Sequence, residues 1–154
     1  MARWPAGSTT NFMARLFVDT WGWLALRDKG DQHHREAVGI FNVASGAEAI
    51  VTSDYVLDET FTLLFRRLSV SRARESMDFL MEAIRDGAVM LAPIHAARFE
   101  EAARLRVKYR DKPEISFTDF TSMVVMAELG LKRVLTEDQH FTQVGMGFEL
   151  VPGV

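Results

Sequence analysis

From Met13 onward, short runs of consecutive apolar residues alternate with longer stretches whose apolar positions recur every three or four residues. The short runs predict strands that are buried on both faces, and the longer stretches predict amphipathic helices. Leu16-Phe17-Val18 forms the first strand and ends abruptly at Asp19 and Thr20. Helices are predicted over 21–27 and 32–44, separated by the turn-forming Asp28-Lys29-Gly30-Asp31. Ala49 to Thr52 reads as the second strand. Ser53 or Asp54 then caps a helix in which Val56, Leu57, Phe61, Leu64, Phe65 and Leu68 make one stripe.

A further helix is predicted from Ser71 to a stop at Gly87, and a third strand over 88–91. A helix over 95–109 follows. Ser116 opens a strongly apolar helix through Leu129, with Gly130 as its stop. Arg133 to Thr136 is the fourth strand, a short turn covers 138–141, and a weak last strand covers 148–151. Strands alternating with helices predict an α/β fold of three layers, α/β/α, with a mostly parallel sheet.

The chain has 154 residues, enough for one domain with its own core. Residues 1–12 are small, polar and turn-forming, and are expected to be a flexible leader or a remnant foreign to the domain, ahead of a folded unit over 13–154. With no cysteine in the sequence, disulfides, thiolate metal sites and cysteine nucleophiles are excluded. No apolar run reaches the ~18–20 residues of a membrane span, so the expected location is cytoplasmic and no membrane contact is expected. The net charge of −3 lacks the basic excess of proteins that hold nucleic acid by bulk electrostatics. Fourteen of the 18 basic residues are Arg, which suits local phosphate recognition but equally reflects base composition.

In doubly wound sheets, sites form beyond the carboxyl ends of the strands, where helix N-termini also lie. Asp19 ends the first strand, Asp138 follows the fourth by two residues, and Asp119 sits in the first helical turn after Ser116. Glu59 lies five residues beyond Asp54, roughly 7–8 Å up its helix, within reach of the same edge. Four acids from four segments thus share one rim. Gathering them costs several kcal/mol unless protons or a cation compensate. Oxygen ligation without Cys or clustered His favours Mg²⁺, with Mn²⁺ as the other fit, and such an ion suits hydrolysis of a phosphodiester.

Each acid also has an innocent reading. Asp119 with Ser116 fits a capping box, Asp19 fits a helix cap, Glu59 a solvated helix position and Asp138 a turn. Taken one at a time these readings suffice, but together they leave the shared rim unexplained. Thr20, and either Ser116 or Thr118, stand beside the proposed ligands and suit orienting roles, or capping alone. The adjacent His33 and His34 point in different directions and do not suit a metal site. His140 belongs either near the rim or in solvent.

Four segments resemble the PIN-domain ribonucleases, and within them the VapC-type toxins of toxin–antitoxin pairs. They are LFVDT at 16–20, VTSDYVLDETFTLLF at 51–65, ISFTDFTSMVVMAELG at 115–130 and VLTEDQHF at 134–141. The resemblance implies that Asp19, Glu59 and Asp119 are metal-binding acids and that Asp138 is the fourth, less uniformly a direct ligand. It further implies a five-stranded parallel sheet, Mg²⁺- or Mn²⁺-dependent cleavage of single-stranded RNA, a homodimer, and inhibition by a small antitoxin protein. Trp21 and Trp23 are not required by the family's pattern.

Two basic stretches, Arg66, Arg67, Arg72 and Arg74, then Arg104, Arg106, Lys108, Arg110 and Lys112, either meet RNA phosphates or are solvated faces. The stripe at Phe61, Leu64, Phe65 and Leu68 reads as core, its edge available to an antitoxin groove. Two other classes fit the residues less fully. One is a non-catalytic receiver or scaffold module with a cation-binding rim. The other is a nucleotide-binding domain, disfavoured because neither a P-loop nor G-x-G-x-x-G follows a strand.

Overall fold

A computed structural model describes residues 15–47 and 49–153. The expected leader over 1–12 lies outside the described residues. Five strands, β1 Arg15–Val18, β2 Ala49–Ser53, β3 Val89–Ala92, β4 Arg133–Leu135 and β5 Glu149–Val151, pair in the order β3-β2-β1-β4-β5. Every pairing is parallel, so the sheet is wholly rather than mostly parallel. Leu16, Phe17 and Val18 are all 0% exposed. Since successive strand residues point to opposite faces, both faces of β1 are covered, which is the three-layer arrangement expected for a doubly wound sheet.

Among the described residues six helices connect the strands: α1 Thr20–Arg27, α2 His34–Ala47, α3 Asp54–Arg67, α4 Val70–Arg85, α5 Ala96–Lys108 and α6 Phe117–Leu129. Two boundaries differ instructively from expectation. Asp31 accepts the His33 amide at 2.8 Å, which holds the chain in a turn and delays α2 to His34. α4 begins at Val70, because Ser69 rather than Ser71 caps it, accepting the Arg72 N–H at 3.3 Å. Either serine can cap; the early end of α3 at Arg67 selects the first.

Of the two candidates for the α3 cap, Ser53 fills the role by accepting the Val56 N–H at 3.1 Å. Asp54 instead accepts the Ile94 N–H at 2.9 Å, tying α3 to the segment after β3. α6 is buried from Asp119 to Met126 and apolar on nearly all sides, as befits the most enclosed helix of a layered fold. Gly130 ends it at φ 68°, a left-handed conformation that costs glycine little.

α1 is clamped onto the sheet at two points. The Trp23 indole N–H donates to Thr52 Oγ1 at 3.0 Å, and that hydroxyl donates to the Val18 carbonyl at 3.0 Å. Gly22 faces β4 so closely that a Cβ would lie 2.6 Å from the Leu135 carbonyl oxygen and 2.9 Å from Val18 Cγ1. This close approach brings the first turn of α1, and Asp19 before it, against the ends of β1 and β4.

Candidate metal centre

The chain runs outward from β1 to β2 and β3 on one side, and through β4 and β5 on the other, so strand order reverses between β1 and β4. The cleft opens beside that reversal, at the carboxyl edge, where the two flanking connections diverge. Its volume is about 480 Å³, and Asp19, Glu59, Asp119 and Asp138 all line it. The four acids named from sequence therefore face one space rather than opposite flanks of the domain.

Asp19 leaves β1 with 4% exposure. It occupies the N-cap position of α1, yet its side chain makes no capping bond there. Instead its carboxylate accepts the Thr136 hydroxyl at 3.0 Å, from the residue just beyond β4. Burial above all, and next the negative charge of Asp119, push its pKa up to about 7, against the lowering effect of hydrogen bonds from the Thr20 backbone and the Thr136 hydroxyl. The capping explanation of Asp19 thus fails on geometry.

Asp119 does complete a capping arrangement. Ser116 Oγ accepts the Asp119 N–H at 3.0 Å, and the Asp119 carboxylate in turn accepts from the Ser116 backbone. The cap and the cleft coexist, because its Oδ2 also lies 3.1 Å from His140 Nδ1. Burial, then the charge of Asp138, raises the pKa of Asp119, while the His140 imidazole opposes the rise.

Asp138 is positioned by the chain after β4. Its N–H donates to Thr136 Oγ1 at 3.1 Å, and its Oδ1 accepts the His140 N–H at 2.9 Å, starting the short 3₁₀ helix Gln139–Thr142. The same oxygen is 3.0 Å from His140 Nδ1. Thr136 therefore links two acids, donating to one and accepting from the backbone of the other.

Glu59 stands at the exposed lip, where its Oε2 accepts the Thr20 hydroxyl at 3.1 Å. Thr20 thus holds Glu59 directly, whereas Ser116 acts as the cap of α6, its hydroxyl accepting the Asp119 N–H. Thr118 does not line the cleft; its carbonyl accepts the Thr121 hydroxyl inside the helix.

The densest group is Asp119, Asp138 and His140, whose candidate ligand atoms all lie within 4.8 Å of one another. His140 is the site residue that sequence reasoning left undecided. The usable signal was its place two residues after Asp138, where the carboxylate that captures its N–H also captures its ring. Thr136 was missed as an orienting residue because only β1–β4 pairing brings it to Asp19.

Other histidines and basic residues have partners both at the cleft wall and away from it. The His34 ring bonds the Ala25 carbonyl through Nδ1 at 2.8 Å, and His33 Nε2 lies 3.3 Å from Glu137. The second basic stretch is largely occupied in structure. Arg106 donates to the carbonyls of Ile115, Tyr109 and Lys112 and covers the Phe120 ring at 4.7 Å, while Arg104 pairs with Glu101 and Lys112 with Asp111. From the first stretch Arg67 reaches the cleft wall, 3.6 Å from Asp31. Leu64 is core as expected, and Phe65 is 41% exposed.

The donor set fits a hard divalent cation. Two buried carboxylates are held in mutual repulsion, a third carboxylate and an imidazole adjoin them, and a cation replacing their protons would relieve the cost. Fold and site together define a class: a doubly wound parallel α/β domain with a cation-fitting carboxylate cup at its switch point. The chain belongs to the PIN domain family, which it matches over residues 16–146.

It is 35% identical over 130 residues to the 23S rRNA-specific endonuclease VapC20 of Mycobacterium tuberculosis, covering 84% of this chain and 94% of that protein. It is 29% identical over 142 residues to the ribonuclease VapC26 of the same organism, covering 89% and 100%. The crystal structure of M. tuberculosis VapC20, a Sarcin-Ricin loop cleaving toxin, matches with a TM-score of 0.72 at 34% identity, over 84% of this chain and 95% of that one. DNA-bound VapBC from Salmonella typhimurium shares the fold, with a TM-score of 0.65 at 15% identity over 90% and 97% of the two chains. Among the described residues no helix is long and apolar enough to cross a membrane.

Proposed function

We propose that this chain is a metal-dependent endoribonuclease and the toxin of a toxin–antitoxin pair. Asp19, Glu59, Asp119 and Asp138 hold Mg²⁺, or Mn²⁺ in its place, and form the catalytic centre. The observation that carries this reading is the convergence of four acids from four segments on one cleft, with Asp19 held near neutral pKa by burial and Asp119. VapC20 and VapC26, a 23S rRNA-specific endonuclease and a ribonuclease, support RNA as the substrate class.

A bound divalent cation supplies charge neutralisation at a phosphodiester and acidifies nearby water. The chain's own groups do the rest. The Thr136 hydroxyl orients Asp19 by donating to it and Asp138 by accepting its N–H; Ser116 fixes the turn that presents Asp119; Thr20 steadies Glu59; and His140 bridges Asp119 and Asp138. The nuclease unit spans 13–154. The protein acts in the cytoplasm as a homodimer and is restrained by a cognate antitoxin protein, as the resemblance to VapC toxins implies.

The test is purified protein on labelled RNA, with Mg²⁺, with Mn²⁺ and with EDTA. Cleavage with metal, its loss in EDTA and its loss in Asp119→Asn are expected. Cation binding by a folded protein that turns over no RNA, ribosomal RNA included, would instead favour the scaffold reading.

A further inference from the structure

Trp21 and Trp23 open the same helix but have opposite surroundings. Trp23 is 1% exposed, bonded to Thr52, with its ring 5.9 Å from Phe41 in an edge-on contact. It belongs to the core. Trp21 is only half-buried and lines the acidic cleft beside Asp19 and Glu59. Its ring is backed by His33 at 5.3 Å, and His33 is held by Glu137 at 3.3 Å, so a connected row of three side chains braces one wall.

The charge of the cleft makes that aromatic wall significant. Among the described residues, six carboxylate side chains line it against one arginine, Arg67. A polyanion entering such a space meets repulsion except at the cation position and at Arg67. Affinity for an unpaired strand then has to come from a contact that does not depend on the strand's charge. A nucleobase stacked on an indole is such a contact, tolerant of sequence because every base presents a π-face.

We propose that Trp21 is a nucleobase-stacking residue that seats an unpaired base of the substrate RNA beside the carboxylate cup. This rests on the nuclease reading above. The His33 and Glu137 backing restricts the indole to one orientation, which lowers the entropy lost on binding. Arg67, from the end of α3, supplies a cation to an adjoining phosphate in the same cleft.

The experiment uses a fluorescently labelled single-stranded oligoribonucleotide and the full chain in EDTA, so that binding is measured by anisotropy without turnover. Trp21→Leu, which keeps an apolar group but no ring, is expected to weaken binding roughly 5- to 150-fold, the range of base–aromatic stacking. Trp21→Phe is expected to stay within roughly 3-fold of the parent, since a smaller ring still stacks. Quenching of tryptophan emission by the oligonucleotide is expected in the parent and absent in Trp21→Phe, although that variant still binds.

With metal, Trp21→Leu should raise KM for a single-stranded substrate far more than it lowers kcat. Circular dichroism checks the fold; if Trp21→Leu fails to fold, the quenching comparison decides. Cleavage by the parent with unchanged binding and KM in Trp21→Leu would overturn the stacking role alone, as would equal quenching in parent and Trp21→Phe. A parent that cleaves no RNA would overturn the nuclease reading and this one with it.

Discussion

Replacing Asp19 by Asn removes a carboxylate that the fold holds in an unfavourable place, so the variant is expected to stabilise the metal-free protein. Burial and then the charge of Asp119 raise the pKa of Asp19 from 3.8 to about 7. Between those values the native protein keeps a proton that the unfolded chain has released. Unfolding free energy therefore falls as pH rises through that window. The penalty is absent below about pH 4 and complete above about pH 7. At ~1.4 kcal/mol per pH unit, about three units set a ceiling of ~4 kcal/mol at pH 8.

Asparagine has nearly the same size and still accepts the Thr136 hydroxyl, but a neutral amide accepts more weakly than a carboxylate. About half the ceiling, ~2 kcal/mol, is the expected gain at pH 8, or about 4–8 °C in Tm for a domain of this size. At about pH 4 the unfolded chain holds the proton nearly as well as the native one does, the penalty has almost vanished, and the two proteins should melt nearly together. Thermal melts by circular dichroism in EDTA at both pH values measure this. Adding Mg²⁺ or Mn²⁺ at pH 8 should raise the Tm of the parent and reverse the order, because the ion binds the native parent selectively. An Asn variant that melts below the parent at pH 8 in EDTA would refute the crowding on which the cation-binding assignment depends.

Thr136→Val keeps the shape of the side chain but removes the donor to Asp19 and the acceptor for the Asp138 N–H; a loss of roughly 10- to 100-fold in metal affinity or RNA cleavage is expected, read by titration and initial rates. Gly22→Ala forces a Cβ to 2.6 Å from the Leu135 carbonyl oxygen, and the resulting shift of α1 should cost about 1–3 kcal/mol by urea denaturation; an unchanged midpoint would show that α1 lifts freely from the sheet.

The strand-and-helix alternation was legible because its signals are local. Leu16-Phe17-Val18 reads as a doubly buried strand wherever it packs, and the Ser116 cap and Gly130 stop act within one turn of α6. The Ser69 start of α4 was less legible, since Ser69 and Ser71, two positions apart, offer the same hydroxyl. Three of the four acids could be assigned to one edge because in a parallel sheet strand ends and helix starts meet there. Glu59 needed a long side chain to reach that edge, and it sits at the lip, joined through Thr20. The occupied guanidinium of Arg106 was not legible, because the carbonyls it satisfies, at Tyr109, Lys112 and Ile115, come together only when the loop after α5 folds back.

What the residues dictate by themselves is the series of elements and the edge at which the acids emerge, since periodicity, caps and the abrupt polar ends of apolar runs depend on near neighbours. The tertiary structure alone decides the chemistry of that edge. Thr136 meets Asp19 through β1–β4 pairing, His140 meets Asp119 across the end of α6, and Trp21 is set apart from Trp23 by which wall each faces. Burial and charge repulsion are sums over neighbours distant in the chain, so the raised pKa of Asp19 exists only once those segments have packed together.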